Sequence, residues 1–261
     1  MKSVQILLTN DDGIHAPGIA ALEKQLKKLG DVCVVSPATE QSGVSHSITF
    51  LTPLTANPVY EGDTLRGHAV NGTPADCVKL AVAEFCPTRP DIVVSGINGG
   101  LNAGINVLYS GTVAAAIEGA FFGITSVAVS LESNTHPKFD VAAGIAADLI
   151  AQILEQESSS AQLFNINIPT AATQNPGAPV KVVPMGLERY GQAFIKREDP
   201  KGRAYYWASG NPPPGETSHE TDVSALKSGN ITITPLAYDM TCQPSLTAMQ
   251  SWNFKSPSFQ S

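Results

Sequence analysis

Residues 4–35 read VQILLTNDDGIHAPGIAALEKQLKKLGDVCVV, and their pattern indicates the architecture of the whole chain. Val4–Leu8 is a mostly apolar run, typical of a strand buried on both faces of a parallel sheet. Pro17–Leu29 has apolar residues at helical spacing behind a first-turn proline, and Gly30 is expected to end that helix. Val32–Val35 predicts a second buried strand. A strand, helix and strand in this order imply a parallel pair with a right-handed crossover.

The rest of the chain continues this alternation and then changes character. A β-excursion or hairpin is expected within residues 47–72, and only short strands are expected after residue 170. The other predicted elements are helix Thr73–Phe85, strand Ile92–Val94, helix Thr112–Phe122, strand Ser126–Leu131, helix Phe139–Glu155 and strand Leu163–Ile168. We therefore predict an α/β protein, with a Rossmann-like, doubly wound, mostly parallel sheet and a β-rich C-terminal appendage. Residues 1–170 would form the core, and residues 171–261 the appendage and a C-terminal tail.

Composition and charge limit the partners that this chain can have. The 261 residues carry a net charge of −7 and lack a dense basic cluster, so a nucleic acid polymer is not an expected partner. No apolar run reaches the ~18 residues of a membrane-spanning helix. The four cysteines show no CxxC spacing and are expected to be reduced. With no signal-peptide pattern before the first strand, we expect a cytoplasmic protein.

Four polar stretches rich in oxygen donors accompany the predicted strands and helices. They are Thr9–Gly13, Ser42-Gly43, Ser95–Gly100 and Tyr109–Thr112. Loops at the carboxyl ends of parallel strands converge in one crevice, so these stretches are expected to meet there. Asp11 and Asp12 also suit a simple turn before Gly13. Adjacent carboxylates repel each other, however, unless a cation or a shared proton relieves them.

The oxygen donors favour a hard divalent cation such as Mg²⁺ or Mn²⁺. Ser42 and Asn98 are also consistent with ordinary loop and turn residues. The Ser110-Gly111-Thr112 turn opens a helix, where free N–H groups and the helix dipole favour a phosphate, and capping by Ser110 or Thr112 is compatible with that. A cation site beside a phosphate site predicts a metal-dependent phosphatase.

Other polar residues carry weaker signals. Asp76 fits a cap at the start of its helix. His15 fits an exposed loop, and a role as a proton shuttle is the alternative. Four further residues could contact substrate, although their spacing does not indicate such a role: Arg66, His68, Arg189 and Tyr190.

Taken together, these motifs resemble the SurE family of stationary-phase survival phosphatases. The likeness is strong over about residues 3–170 and weaker beyond. The matching stretches are Ile6–Gly13, His15–Gly18, Ser42-Gly43, Gly72–Asp76, Ser95–Asn98 with Asn102, Tyr109–Ala116, and more weakly Asp199–Gly202, Tyr205–Trp207, Thr221-Asp222 and Ile231–Leu236.

The resemblance implies a metal-dependent phosphatase that hydrolyses nucleoside 5′-monophosphates, and also 3′-monophosphates and short polyphosphate. It implies one divalent metal per subunit, Mg²⁺ or Mn²⁺, and a homodimer or homotetramer with an exchanged C-terminal hairpin arm. The implied metal ligands are Asp11, Asp12, Ser42 and Asn98. The implied phosphate-binding residues are Asn10, Asn102, Ser110, Gly111 and Thr112. Gln41 stands where the family often has arginine, so we expect weaker binding of longer polyphosphates.

The hypothesis for the reaction is attack by a metal-activated water, with Asp11 and Asp12 as the catalytic residues. Two other interpretations compete with it. An aspartyl-phosphate phosphatase would need a carboxylate where this chain has Asn10, and an amide cannot serve as that nucleophile. A nucleotide sensor or structural oligomer with a vestigial site would not need the complete set of ligand side chains that is present.

Overall fold

A nine-stranded mixed sheet organises the chain. The computed structural model describes residues 3–156, 160–187, 193–209 and 218–256. The strands are β1 Val4–Thr9, β2 Gly30–Pro37, β3 Ala56–Glu61, β4 Thr64–Val70, β5 Ile92–Gly99, β6 Thr125–Leu131, β7 Leu163–Ile168, β8 Val180–Val182, β9 Ala193–Glu198, β10 Ala204–Ser209 and β11 Ile231–Pro235. The helices are α1 Pro17–Leu26, α2 Pro74–Leu80, α3 Gly111–Phe121, α4 Phe139–Leu154, α5 Asp222–Lys227 and α6 Gln243–Gln250.

The sheet order is β3-β4-β2-β1-β5-β6-β7-β11-β8, and the run from β4 to β7 is parallel throughout. β3 and β11 pair antiparallel with β4 and β7, and β8 pairs parallel with β11. Successive strand residues face opposite sides. Ile6 and Leu8 pack in the core layer that contains Ile19 and Ile150 of α1 and α4, while Leu7 packs in the layer that contains Val78. The predicted doubly wound, mostly parallel α/β fold is confirmed.

Several boundaries differ from the sequence prediction for physical reasons. The expected excursion within residues 47–72 is the β3–β4 hairpin, and β4 lies in the main sheet beside β2. Helix α1 ends at Leu26, and Gly30 is already the first residue of β2. Helices α5 and α6 were not expected. The first has only six residues, and the second buries none of its residues, whereas a helix is predicted from a longer apolar face.

The residues after 170 divide between the main sheet and a separate ribbon. β8 and β11 extend the sheet, whereas β9 and β10 form their own two-stranded antiparallel ribbon. The ribbon exposes Phe194, Tyr206 and Trp207. The second small sheet agrees with the expected appendage, while the division of the chain at residue 170 stays a prediction. Arg189 and Tyr190 lie outside the described residues.

Asp222 connects two segments of the chain that are distant in sequence, one before α3 and one after β8. Its carboxylate is fully buried and accepts hydrogen bonds from the backbone N–H groups of Gly104 and Gly186, both at 2.8 Å. Gly104 begins a 3₁₀ segment, Gly104–Tyr109, that leads directly into α3. The same side chain therefore positions the segment before α3 and the segment that follows β8.

Within the described ranges, no helix is both long enough and apolar enough to cross a lipid bilayer.

We predict that Asp222→Ala destabilises the protein by about 2–5 kcal/mol, since two buried N–H groups lose their acceptor at once. Urea unfolding measures the change. Asp148→Ala is the matched control, because this aspartate is exposed on α4, and we expect its effect to stay within about 0.5 kcal/mol. Equal stability of both variants would show that the Asp222 hydrogen bonds contribute nothing.

Candidate metal and phosphate site

Three loops and the start of α3 meet at the carboxyl ends of β1, β2 and β5. The Thr112 hydroxyl donates to Asp11 Oδ1 at 2.6 Å, and the Gly99 N–H donates to Asp12 Oδ2 at 3.2 Å. The backbone N–H of Gln41, in the loop after β2, donates to the Asp11 carbonyl at 2.7 Å. These bonds bring the polar stretches together in the crevice expected of an open parallel sheet.

Asp11 is the most strongly perturbed carboxylate of this crevice. Only 4% of the residue is exposed. Burial raises its pKa from 3.8 to about 6, and repulsion from Asp12 adds to the rise, while hydrogen bonds from Thr112 oppose it. A carboxylate in this state is stabilised by any cation that binds beside it.

Asp12 lies nearer to solvent and has an acidic neighbour that the sequence did not single out. Burial raises the pKa of Asp12, the Gly99 N–H lowers it, and the charge of Glu40 raises it. Glu40 accepts a hydrogen bond of 2.7 Å from the Ser42 hydroxyl. Its only signal in the sequence is its position two residues before Ser42.

Ser42 and Asn98 each carry a side-chain oxygen that can still act as an acceptor. Asn98 donates through Nδ2 to the Gly100 carbonyl at 2.7 Å, so its Oδ1 carries none of that bond. The Ser42 oxygen, which donates to Glu40, retains its lone pairs. Over the described ranges, no three His, Cys, Asp or Glu side chains form a metal-binding group. Two carboxylates with neutral oxygens nevertheless fit Mg²⁺ or Mn²⁺, which bind through few carboxylates and keep several waters.

The start of α3 forms the opposite wall of the crevice. Ser110 caps the helix by accepting the Val113 N–H at 3.1 Å. Gly111 lies against Asp11, since a Cβ on this glycine would stand 2.9 Å from Asp11 Cβ and 3.1 Å from Oδ2. The positive end of the helix dipole therefore faces Asp11, and a phosphate bound there would lie beside a carboxylate. A cation between the two would relieve their repulsion.

Asn102 is the centre of a buried polar network behind this wall. Its side chain donates to Ser130 at 2.9 Å and to Thr112 at 3.3 Å. Its carbonyl accepts from Asn165 and Asn167, and its N–H donates to Asn167. The network holds Thr112, which in turn donates to Asp11, so Asn102 positions the first turn of α3. The alternation of β7 showed that Asn165 and Asn167 share a face but gave no sign of their partner.

Asn10 shapes the turn that presents the two aspartates. Its Oδ1 accepts from the Gly13 N–H at 3.2 Å and from the Ser36 hydroxyl, and its Nδ2 donates to the Gly13 carbonyl at 3.0 Å. Its role in phosphate binding stays a prediction.

The structure gives the weaker candidates other partners. Asp76 completes a capping box with Thr73 and also accepts from the Thr49 N–H. Arg66 donates to Glu23 at 2.8 Å, and His68 stacks on a phenylalanine ring. The exposed position expected for His15 is confirmed.

Comparison with known proteins identifies the family of this chain. The sequence model of the family described as Survival protein SurE matches residues 6–192. The chain belongs to the SurE family. The resemblance seen in the motifs is thereby confirmed.

Individual SurE proteins are similar over nearly the whole length. The 5′-nucleotidase SurE of Rhodopirellula baltica is 56% identical over 253 residues, which cover 97% of this chain and 100% of that protein. The 5′-nucleotidase SurE of Herpetosiphon aurantiacus is 46% identical over 240 residues, covering 91% and 94%. The crystal structure of the SurE protein from Aquifex aeolicus superposes with a TM-score of 0.81 at 35% identity, covering 94% of this chain and 98% of that one.

We predict that Gly111→Ala lowers both Mn²⁺ affinity and hydrolysis of a phosphate monoester by tenfold or more, since the new methyl group displaces Asp11 and small shifts at a reacting centre are costly. Manganese titration and initial rates measure the two effects. Gly144→Ala in α4 is the matched control, because a Cβ there meets no atom within 4 Å. It should leave both quantities unchanged. Unchanged affinity and rate in Gly111→Ala would contradict the close packing of α3 on Asp11.

We also predict a pH dependence of stability in metal-free protein. The pKa of Asp11 is higher in the folded state than its ordinary 3.8, so the folded state holds this proton more tightly. Stability therefore falls as pH rises from about 4 through about 6, by up to about 3 kcal/mol at about 1.4 kcal/mol per pKa unit. Urea unfolding in EDTA between pH 4 and pH 8 measures it.

The comparison of two variants isolates this effect. Asp11→Asn should match wild type near pH 4 and be more stable near pH 7, whereas Asp148→Asn should follow wild type throughout. If Asp11→Asn shows the same pH dependence as wild type, the buried carboxylate is not the cause.

Proposed function

We propose that this SurE protein is a metal-dependent 5′-nucleotidase, a phosphatase that hydrolyses nucleoside 5′-monophosphates and also 3′-monophosphates and short polyphosphate. The observation that carries the proposal is the contact between Asp11 and Thr112, because it places a buried carboxylate against a helix N-terminus suited to phosphate. The names of its SurE relatives, 5′-nucleotidases, support the same activity.

One divalent cation per subunit, Mg²⁺ or Mn²⁺, would be held by Asp11, Asp12, Ser42 and Asn98. When bound, such an ion polarises a phosphoryl oxygen and lowers the pKa of a water molecule. The donor set supports this choice, since it consists of oxygens and includes a carboxylate whose burial raises its pKa.

The residues of the chain supply position and electrostatics. The first turn of α3, at Ser110, Gly111 and Thr112, would bind the non-bridging phosphate oxygens through N–H groups and hydroxyls. Asp12, held by the Gly99 N–H, lies nearer to solvent than Asp11 and is the better placed of the two to orient a water. Asn10 and Asn102 are proposed as further phosphate-binding residues.

An aspartyl-phosphate mechanism has no residue to carry it at the corresponding position. The amide of Asn10 is buried and hydrogen-bonded to Gly13 and Ser36. An amide lacks the nucleophilic oxygen that such a mechanism requires.

The proposal includes a homodimer or homotetramer that exchanges the β9–β10 ribbon as its hairpin arm. The ribbon pairs only with itself in the described part of the chain and exposes large aromatic side chains. Exposed apolar surface of this kind marks interaction sites. A cytoplasmic location remains a prediction.

The test is the hydrolysis of AMP and UMP by wild type, Asp11→Asn, Asp12→Asn and the exposed control Asp148→Asn. We expect each site variant to lose on the order of a hundredfold or more in turnover and the control to lose none. EDTA should abolish the wild-type rate, and added Mg²⁺ or Mn²⁺ should restore it. Full activity of both site variants, or a rate that EDTA does not change, would refute the proposal.

A further inference from the structure

A cavity of about 380 Å³ begins beside the cap of α3 and runs along that helix. One wall is a stripe of α3 residues at helical spacing, Ser110, Ala114, Ile117 and Phe121. The first of them caps the turn assigned above to phosphate. The volume lies within the range of small-molecule sites, roughly 300–1,000 Å³. The cavity therefore continues outward from the phosphate turn, where the rest of a phosphate ester would have to lie.

The opposite wall contains a buried hydroxyl without a partner. Thr234 of β11 lines the cavity, is only 1% exposed, and its Oγ1 makes no hydrogen bond within the described structure. An unpaired buried hydroxyl is costly, so a ligand that offers a nitrogen or oxygen there would remove the penalty.

Aromatic side chains form the mouth of the cavity. Tyr238 meets Phe121 in a T-shaped arrangement with ring centroids 4.8 Å apart, and His46 stacks on Phe121 with ring centroids 5.3 Å apart. His46 Nε2 is 2.8 Å from Oε2 of buried Glu118, which fixes the imidazole. Planar rings around an apolar cavity with a few polar atoms suit a heteroaromatic base, which stacks through its faces and bonds through its edge.

We propose that this cavity binds the nucleoside part of the substrate, with the base stacked on Tyr238 and Phe121 and hydrogen-bonded to Thr234. The inference rests on the proposed nucleotidase function. The residues of this specificity site come from α3, from the loop containing His46, from β11 and from the segment after β11.

A comparison of two substrates distinguishes the contribution of this cavity from that of the phosphate site. AMP carries a base, whereas ribose 5-phosphate presents the same phosphate and sugar without one. We expect Tyr238→Ala to lower kcat/KM for AMP by about tenfold through loss of stacking. Thr234→Val should lower it about three- to tenfold through loss of one buried hydrogen bond. Neither variant should change kcat/KM for ribose 5-phosphate by more than about twofold.

Thr232→Val is the matched control for the hydroxyl. Thr232 lies on the same strand and the same face, is equally buried, and also has an unpaired Oγ1, but it does not line the cavity. It should leave hydrolysis of both substrates unchanged. Equal effects of Thr232→Val and Thr234→Val, or equal losses on both substrates, would overturn the inference and leave the nucleotidase proposal standing.

Binding of adenosine tests the cavity independently of catalysis. Saturation-transfer NMR should show adenosine bound to wild type and to Thr232→Val, with a clear loss in Tyr238→Ala. If no phosphate ester is hydrolysed, the proposed function fails, and adenosine binding with this pattern would still support the cavity. Equal binding of adenosine to wild type and Tyr238→Ala, or no binding to wild type, would refute it.

Discussion

The hydrogen bond from Thr112 to Asp11 is the contact on which the rest of the site depends. It joins the loop after the first strand to the first turn of α3, two parts of the chain that are about a hundred residues apart in sequence. Asp11 is almost fully buried beside a second aspartate, which is unfavourable for an ionised carboxylate. The arrangement is favourable once positive charge lies between the carboxylates and a phosphate. The fold thus places negative charges close together, and the proposed cation would offset their repulsion when phosphate binds.

Several layers of structure keep that contact in place. The network around Asn102 fixes Thr112 from behind, and the parallel sheet fixes the loops that carry the aspartates. Gly111 allows α3 to approach until its backbone almost touches Asp11. Buried hydrogen-bond networks restrict the arrangements that their members can adopt. The geometry of the candidate site therefore depends on residues from the β1, β5, β6, β7 and α3 regions at once.

Much of the sheet and of the site was predictable from the sequence. The features that were not predicted are contacts between residues distant in sequence, or residues in loops without a pattern. Asp11, Asp12 and Asn98 could be predicted to converge, because the carboxyl ends of parallel strands lie on one edge. The partner of a side chain cannot be read from its period, so the bonds of Asn165 and Asn167 to Asn102 were not foreseen. Glu40 was missed because an exposed acidic residue in a loop has no pattern. Thr234 and Tyr238 are separated by more than a hundred residues from the α3 stripe that they face, and no local signal connects them.

The hydrogen bonds of Asp222 also couple the movements of two segments of the chain. One carboxylate holds the start of the 3₁₀ segment that delivers α3 and, through Gly186, the stretch of chain that leads towards the ribbon. Because both stretches are bonded to the same carboxylate, a shift of either one would strain or break its hydrogen bond to Asp222. A movement of the chain at Gly186 would therefore be transmitted through this carboxylate to the segment that leads into α3, and so to the turn proposed to bind phosphate.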